Sequence, residues 1–219
     1  MSRNPWSNGL YRKIYGAASM ASQPTPPDRA PSEPRPAAPS AWVARFAPLI
    51  AAGGTVLDLA CGGGRHVRLL RDRGHPVVAL DRDLAGLGNL AAAPGVEAVA
   101  ADLEAEAPWP LAGRTFAGIV VANYLHRPLY ADIRAALAPG GVLIYETFAI
   151  GNEALGRPRN PDFLLRPGEL LEVARGTLTV IAYEQGRVET PRPAILQRLC
   201  ARRPAPGGAD GADPLYPAI

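Results

Sequence analysis

The chain has 219 residues, a net charge of +3, 47% hydrophobic residues and two cysteines, and this supplies the core of one domain of about 160–180 residues. No apolar run approaches the roughly 20 residues needed to cross a bilayer, and no signal-peptide segment follows the first basic residues. Cys61 and Cys200 offer no disulfide framework, which is consistent with a cytoplasmic protein that makes no membrane contact and works as a monomer or homodimer.

Residues 1–39 carry a dense Pro/Ser/Ala/Arg tract, from Gln23-Pro-Thr-Pro-Pro27 to Arg35-Pro-Ala-Ala-Pro39. Such a segment buries too little apolar surface to offset its chain entropy, so a disordered or polyproline-like extension is expected. The domain is expected over 40–203. Ser40 reads as the N-cap of a short helix over Ala41–Ile50, with Trp42, Phe46 and Ile50 on one face. Strands follow at Thr55–Leu59, Val77–Asp81, Val96–Ala100, Phe116–Ala122 and Gly141–Phe148. Helices are expected between them at Arg65–Arg73, Leu84–Ala93 and Leu129–Leu137, the last ended by Pro139-Gly140-Gly141. Near-continuous apolar runs such as Ile119–Ala122 read as parallel strands buried on both faces. A last helix over Gly168–Ala174 and two strands, Leu178–Glu184 and Ile195–Arg202, complete the domain. Residues 204–219 are Pro/Gly-rich and expected to be a flexible tail. Strict β-α alternation argues an α/β, doubly wound, Rossmann-like sheet, with its ligand at the carboxyl ends of the strands.

The most informative stretch is Thr55-Val-Leu-Asp-Leu-Ala-Cys-Gly-Gly-Gly-Arg-His66. A strand carrying Asp58 runs into three glycines that open a helix, a turn whose backbone a nucleotide-like ligand can approach closely. A P-loop needs a lysine after the glycines, yet the only lysine is Lys13. A dinucleotide loop needs a third small residue where Val67 stands. An S-adenosylmethionine loop remains, since a carboxylate at Asp58 suits a ligand with an ammonium and a sulfonium and would repel a pyrophosphate. Asp81 closes the second strand, where an acid can take both ribose hydroxyls. Asp102 follows the third strand, where it can receive the adenine amino group.

On Val56-Leu-Asp-Leu-Ala-Cys-Gly-Gly-Gly64, Asp81, Ala101-Asp-Leu103, Ile119–Tyr124 and Leu137–Ile144, the chain resembles the class I S-adenosylmethionine-dependent methyltransferases. The likeness spans roughly Ser40 to Arg202, and the Asp-Leu-Ala-Cys-Gly-x-Gly-Arg-His form is most like bacterial small-molecule members of the tellurite-resistance and thiopurine type. It departs from the family at Ala60, where a glycine is usual. The resemblance implies a seven-stranded sheet, mostly parallel with a reversed C-terminal strand, and S-adenosyl-L-methionine as cofactor. It implies that Asp58, Gly62 and Gly64 hold the methionine end, Asp81 the ribose, and Asp102 with Leu103 the adenine. Ala60, Arg65, Arg82 and Ala122 would complete the cofactor shell.

Transfer from a sulfonium is an in-line displacement on an activated carbon, so positioning and water exclusion come first. After the fourth strand, Asn123, Tyr124 and His126 could line the transfer cavity, with His126 the best general-base candidate and Tyr124 a second catalytic one. The Asp/Asn-Pro-Pro-Tyr motif of nucleic-acid amino-methyltransferases is absent from Asn123-Tyr-Leu-His126. The long segment Tyr145–Arg166 reads as a binding loop or a structural one, with Glu146, Asn152, Asn160, Phe163 and Arg166 as its candidates. Cys61 reads as loop packing rather than a nucleophile, and the scattered His and Cys residues predict no metal site. The expected partner is a small-molecule methyl acceptor. Arg65, Arg68, Arg71 and Arg73, with Arg198, Arg202 and Arg203, are the only support for an RNA or protein acceptor, and no aromatic interleaves the first group. A catalytically silent cofactor-binding partner subunit is the alternative of a different class.

Overall fold

The computed structural model describes residues 37–205, so the expected extension at 1–39 and tail at 204–219 lie almost wholly outside the described residues. Ser40 caps α1 (Ala41–Phe46) as expected, its hydroxyl accepting from the N–H groups of Trp42 and Val43. A 3-10 turn, Ala47–Leu49, replaces the end of the expected helix, because Pro48 cannot donate to a continuing ladder. β1 (Val56–Leu59), β2 (Val77–Asp81), β3 (Val96–Ala100) and β4 (Phe116–Ala122) follow, with α2 (Arg65–Asp72) between the first two.

The helix expected over Leu84–Ala93 is instead a pair of 3-10 turns over Ala85–Ala92, broken at Gly88 (φ 52°, ψ −133°). Two glycines within four residues remove helix propensity, and burial of Leu87 and Leu90 holds the segment down. The next helix is likewise shorter than expected: α3 covers Tyr130–Ala135, and β5 runs from Leu137 through Pro139 and Gly140 to Phe148. Its register against β4 shifts between Phe116 and Gly118, which absorbs the proline and glycine in an irregularity. α4 (Glu169–Ala174), β6 (Thr179–Val188) and β7 (Ala194–Arg202) close the fold.

Among the described residues the sheet has seven strands in the order β3-β2-β1-β4-β5-β7-β6. β1 to β5 pair in parallel, while β7 is antiparallel to both β5 and β6. The expected reversed strand is therefore β7, and it lies inside the order rather than at its edge. One apolar layer sets Ile119, Val121, Leu143 and Tyr145 against α3 and α4; the other sets Val120, Val142 and Ile144 against α1 and α2. Adjacent residues of β4 and β5 thus serve opposite faces, the two-residue period of a strand covered on both sides.

Candidate cofactor and acceptor site

The glycine loop joins β1 to α2 with three left-handed residues, Ala60 (φ 57°), Gly62 (φ 50°) and Gly64 (φ 70°). A Cβ on Gly62 would meet nothing within 4 Å, so this part of the loop is open to a ligand. A Cβ on Gly64 would lie 2.6 Å from Leu90 and 2.7 Å from Leu87. Gly64 is thus required for packing against the 3-10 segment. Ala60 has a conformation that costs about 1–2 kcal/mol for an L-residue with a side chain, at the position where the family resemblance expects glycine.

Asp58 lies beneath this loop, only 1% exposed. Its Oδ2 has no hydrogen-bond partner, and His66 Nδ1 stands 3.9 Å from its Oδ1, beyond hydrogen-bond reach. Burial raises its pKa to about 7, against the opposing pull of Arg65 and the Val67 N–H. Burial, and then Arg65, lower that of His66 to about 3, so the ring is neutral at pH 7. Its Nε2 accepts from the Ser40 N–H at 3.1 Å, which assigns the ring proton to Nδ1, facing Asp58. Cys61 and Cys200 are buried, and burial pushes both thiols up to about 12, which leaves neither fit to act as a thiolate.

At the carboxyl ends of β1 to β4 is a cleft of about 290 Å³, which brings together Ala60, Asp81, Arg82, Asp102, Leu103 and Tyr124 under Phe163. Asp81 Oδ2 accepts from the Gly62 N–H at 2.8 Å and Oδ1 from the Asp83 N–H at 3.1 Å. A carboxylate offers about four lone-pair positions, so both oxygens can still take ribose hydroxyls. Asp102 Oδ1 accepts from the Glu104 N–H at 2.9 Å. Arg65 and Ala122 do not line the cleft: Arg65 opens α2, and Ala122 ends β4 in register with Glu146.

A second cavity of about 230 Å³ adjoins the first through Glu104, Tyr124 and Phe163, and adds Asn123, Thr147 and Phe148. Asn123 sits at φ 59°, a conformation asparagine tolerates, and its N–H donates to the Glu146 carbonyl. The Tyr145 hydroxyl donates to the Tyr124 carbonyl at 3.1 Å, so this turn is pinned to β5 from two sides.

Three sequence candidates take other positions. His126 lines a smaller cavity of about 130 Å³ with Trp109 and Asp132, which meets the cleft only through Asp102 and Leu103. That separates it from Asn123 and Tyr124, and its carbonyl accepts from the Leu129 N–H to start the next turn. Glu146 lies on the α1 face, paired to Arg198 at 2.6 Å; its neighbour Thr147 faces the cavity, one residue out of phase with the expectation. Asn160 caps the 3-10 turn Pro161–Phe163 by accepting from the Asp162 N–H, and so acts on the site only by presenting Phe163.

Sequence reasoning missed Glu104, Thr147 and the pair that holds the loop over the site. Arg127 donates to Glu169 at 2.7 Å and 3.0 Å and to the carbonyls of Asp162 and Leu164 at 2.7 Å and 2.9 Å. Burial alone would raise the Glu169 pKa, but hydrogen bonds from Arg127 and Arg166 bring it down to about 2. Asn152 Oδ1 accepts from the Ile195 N–H, pinning the other end of the loop to β7. Arg127 and Glu169 are 42 residues apart, and no local spacing announces such a pair.

A family model described as a methyltransferase domain matches residues 32–159, more than half of the chain. The chain belongs to this methyltransferase family. No curated protein matches it. Among solved structures, it is similar to TehB from Haemophilus influenzae (18% identity, TM-score 0.60), covering 73% of this chain and 61% of TehB. It is also similar to the 1,6-didemethyltoxoflavin-N1-methyltransferase of Burkholderia thailandensis, solved with S-adenosylhomocysteine (21% identity, TM-score 0.54, covering 75% and 79%). A third is the glycopeptide N-methyltransferase MtfA (24% identity, TM-score 0.52, covering 74% and 89%). At these identities the likeness establishes the fold, that of the class I S-adenosylmethionine-dependent methyltransferases. The methyltransferase's residues fit that cofactor: a buried carboxylate has an unpartnered oxygen, the loop is open at Gly62, and acids stand at successive strand ends.

Proposed function

We propose that this methyltransferase transfers a methyl group from S-adenosylmethionine to a small-molecule acceptor. The supporting observation is the pair of adjoining cavities, one of about 290 Å³ at the strand ends and one of about 230 Å³ under the loop carrying Phe163. The first has the acids a nucleoside needs; the second has room for a single ring. When bound, S-adenosylmethionine supplies a methyl carbon already activated by its sulfonium.

The chain's own residues do the rest. Asp81 takes the ribose hydroxyls, and Asp102 with Leu103 takes the adenine. Gly62 and the Asp58 carboxylate beneath it receive the cationic methionine end, with Ala60, Gly64, Arg65, Arg82 and Ala122 shaping the surround. Asn123 and Tyr124 form the wall against which the acceptor is held, and Phe163 with its loop excludes water, where proximity and desolvation supply most of the rate. Calorimetry with S-adenosylmethionine tests the reading: we expect a micromolar Kd that weakens by at least about tenfold, roughly 1.4 kcal/mol, in Asp81→Ala. Absence of binding to the unmodified chain sinks it.

A further inference from the structure

On the strength of that reading, we infer that the acceptor is a nitrogen nucleophile, a small amine on an apolar or aromatic body, and that Glu104 selects it and takes its proton. Glu104 stands where the two cavities meet and lines both. Its carboxylate is the only formal charge lining the acceptor cavity among the described residues, whose other walls include Asn123, Thr147, Phe148 and Phe163. Across both cavities the only lining cation is Arg82, and it lines the cofactor cleft alone. An oxyanion or thiolate acceptor would therefore meet Glu104 with no cation facing it, and with Asp81 and Asp102 close behind. An ammonium meets the opposite field, as charge complementarity requires.

The Tyr124 hydroxyl supports the same assignment. It is enclosed, and the Glu104 carboxylate lies close enough to act as its acceptor, which ties the two groups together where the cavities meet. Burial, then the carboxylates of Glu104 and Asp102, keep the phenol protonated, so it is a donor and cannot serve as base. Asp102 accepts the Glu104 N–H and so fixes the backbone turn that presents Glu104. Size agrees as well. A cavity of about 150 Å³ holds benzene, so one of about 230 Å³ holds a ring with a short amine arm.

The step balances without a further reactant. The ammonium form gives one proton to the Glu104 carboxylate, which frees the nitrogen lone pair. That pair forms the C–N bond as the C–S bond breaks, and the electrons of the broken bond stay on sulfur. The methylated nitrogen is then cationic, and its extra proton and the one on Glu104 pass to solvent.

The test is labelled-methyl transfer by the full chain to three panels of ring-bearing compounds and ions: primary and secondary amines, the matching thiols, and metalloid oxyanions. We expect transfer to amines, with kcat/KM reduced about tenfold to a hundredfold in Glu104→Gln and largely restored in Glu104→Asp. The acidic limb of the amine pH profile should move in Glu104→Gln while its melting temperature stays that of the parent. Cofactor binding without transfer to any amine overturns the inference, as does preferred transfer to oxyanions or thiols, or an unaltered rate in Glu104→Gln. Those results leave the methyltransferase reading standing, whereas failure to bind the cofactor removes the reading beneath it.

Discussion

Asp58 and Ala60 are two residues apart, and each is held in a state that folding alone disfavours. The folded pKa of Asp58 is about 7, above its unfolded value. The unfolded chain ionises first, so this residue's contribution to stability falls as pH rises from about 4 to 7 and stays low above that. Asp58→Asn should therefore stabilise the free protein by about 2–4 kcal/mol at pH 8, read by denaturant unfolding, while weakening cofactor affinity by calorimetry. A loss of stability in that variant would mean that Asp58 is a structural anchor. Ala60→Gly should relieve left-handed strain of about 1–2 kcal/mol against a glycine entropy cost of about 0.5–1, a net gain of about 0.5–1 kcal/mol. The placement of Asp81 and Asp102 in one cleft was legible in the sequence because each closes an apolar run, and strand ends gather in one place in this class of fold. The directions in which Glu146 and His126 face were not, because choosing between adjacent residues needs the strand's phase and the turn's direction, which only packing sets.

At the level of elements, the loop after β5 owes its position to Arg127 and Glu169. Glu169 has a folded pKa of about 2, below its unfolded 4.5, so its stabilisation is present above about pH 4.5 and is lost as pH falls toward 2. Glu169→Gln should remove that acid-limb contribution, about 2–3 kcal/mol, measured as unfolding free energy at pH 7 against pH 3. Arg127→Met releases the carbonyls of Asp162 and Leu164 along with the carboxylate. It should raise KM for the acceptor well before it weakens the cofactor, because the loop covers the second cavity more than the first. Strands and most helices were readable from apolar periodicity and capping, as Ser40 illustrates. The 3-10 segment Ala85–Ala92 was not. Its apolar spacing imitates a helix, while Gly86 and Gly88 let the backbone turn tightly beside the glycine loop.

For the molecule as a whole, α1 is joined to α2 through a neutral histidine. His66 accepts the Ser40 N–H and titrates near pH 3 when folded, below its unfolded value, so stability is full above about pH 6.5 and is lost as pH falls from there to 3. His66→Gln should flatten that limb of a thermal-melt series while lowering the melting temperature at pH 7. The doubly wound sheet was legible because buried parallel strands read as unbroken apolar runs. Which of the last two strands stands inside the sheet was not, since both are amphipathic at similar length and only the pairing distinguishes them. That pairing has a consequence during synthesis. β6 is made before β7 but pairs with no other strand, and β5 has one open edge until β7 arrives. A nascent chain that has reached Val188 thus has an unpaired strand and an exposed apolar edge, the condition in which chains associate wrongly. Completion of the sheet waits on translation of β7, the last of its strands among the described residues.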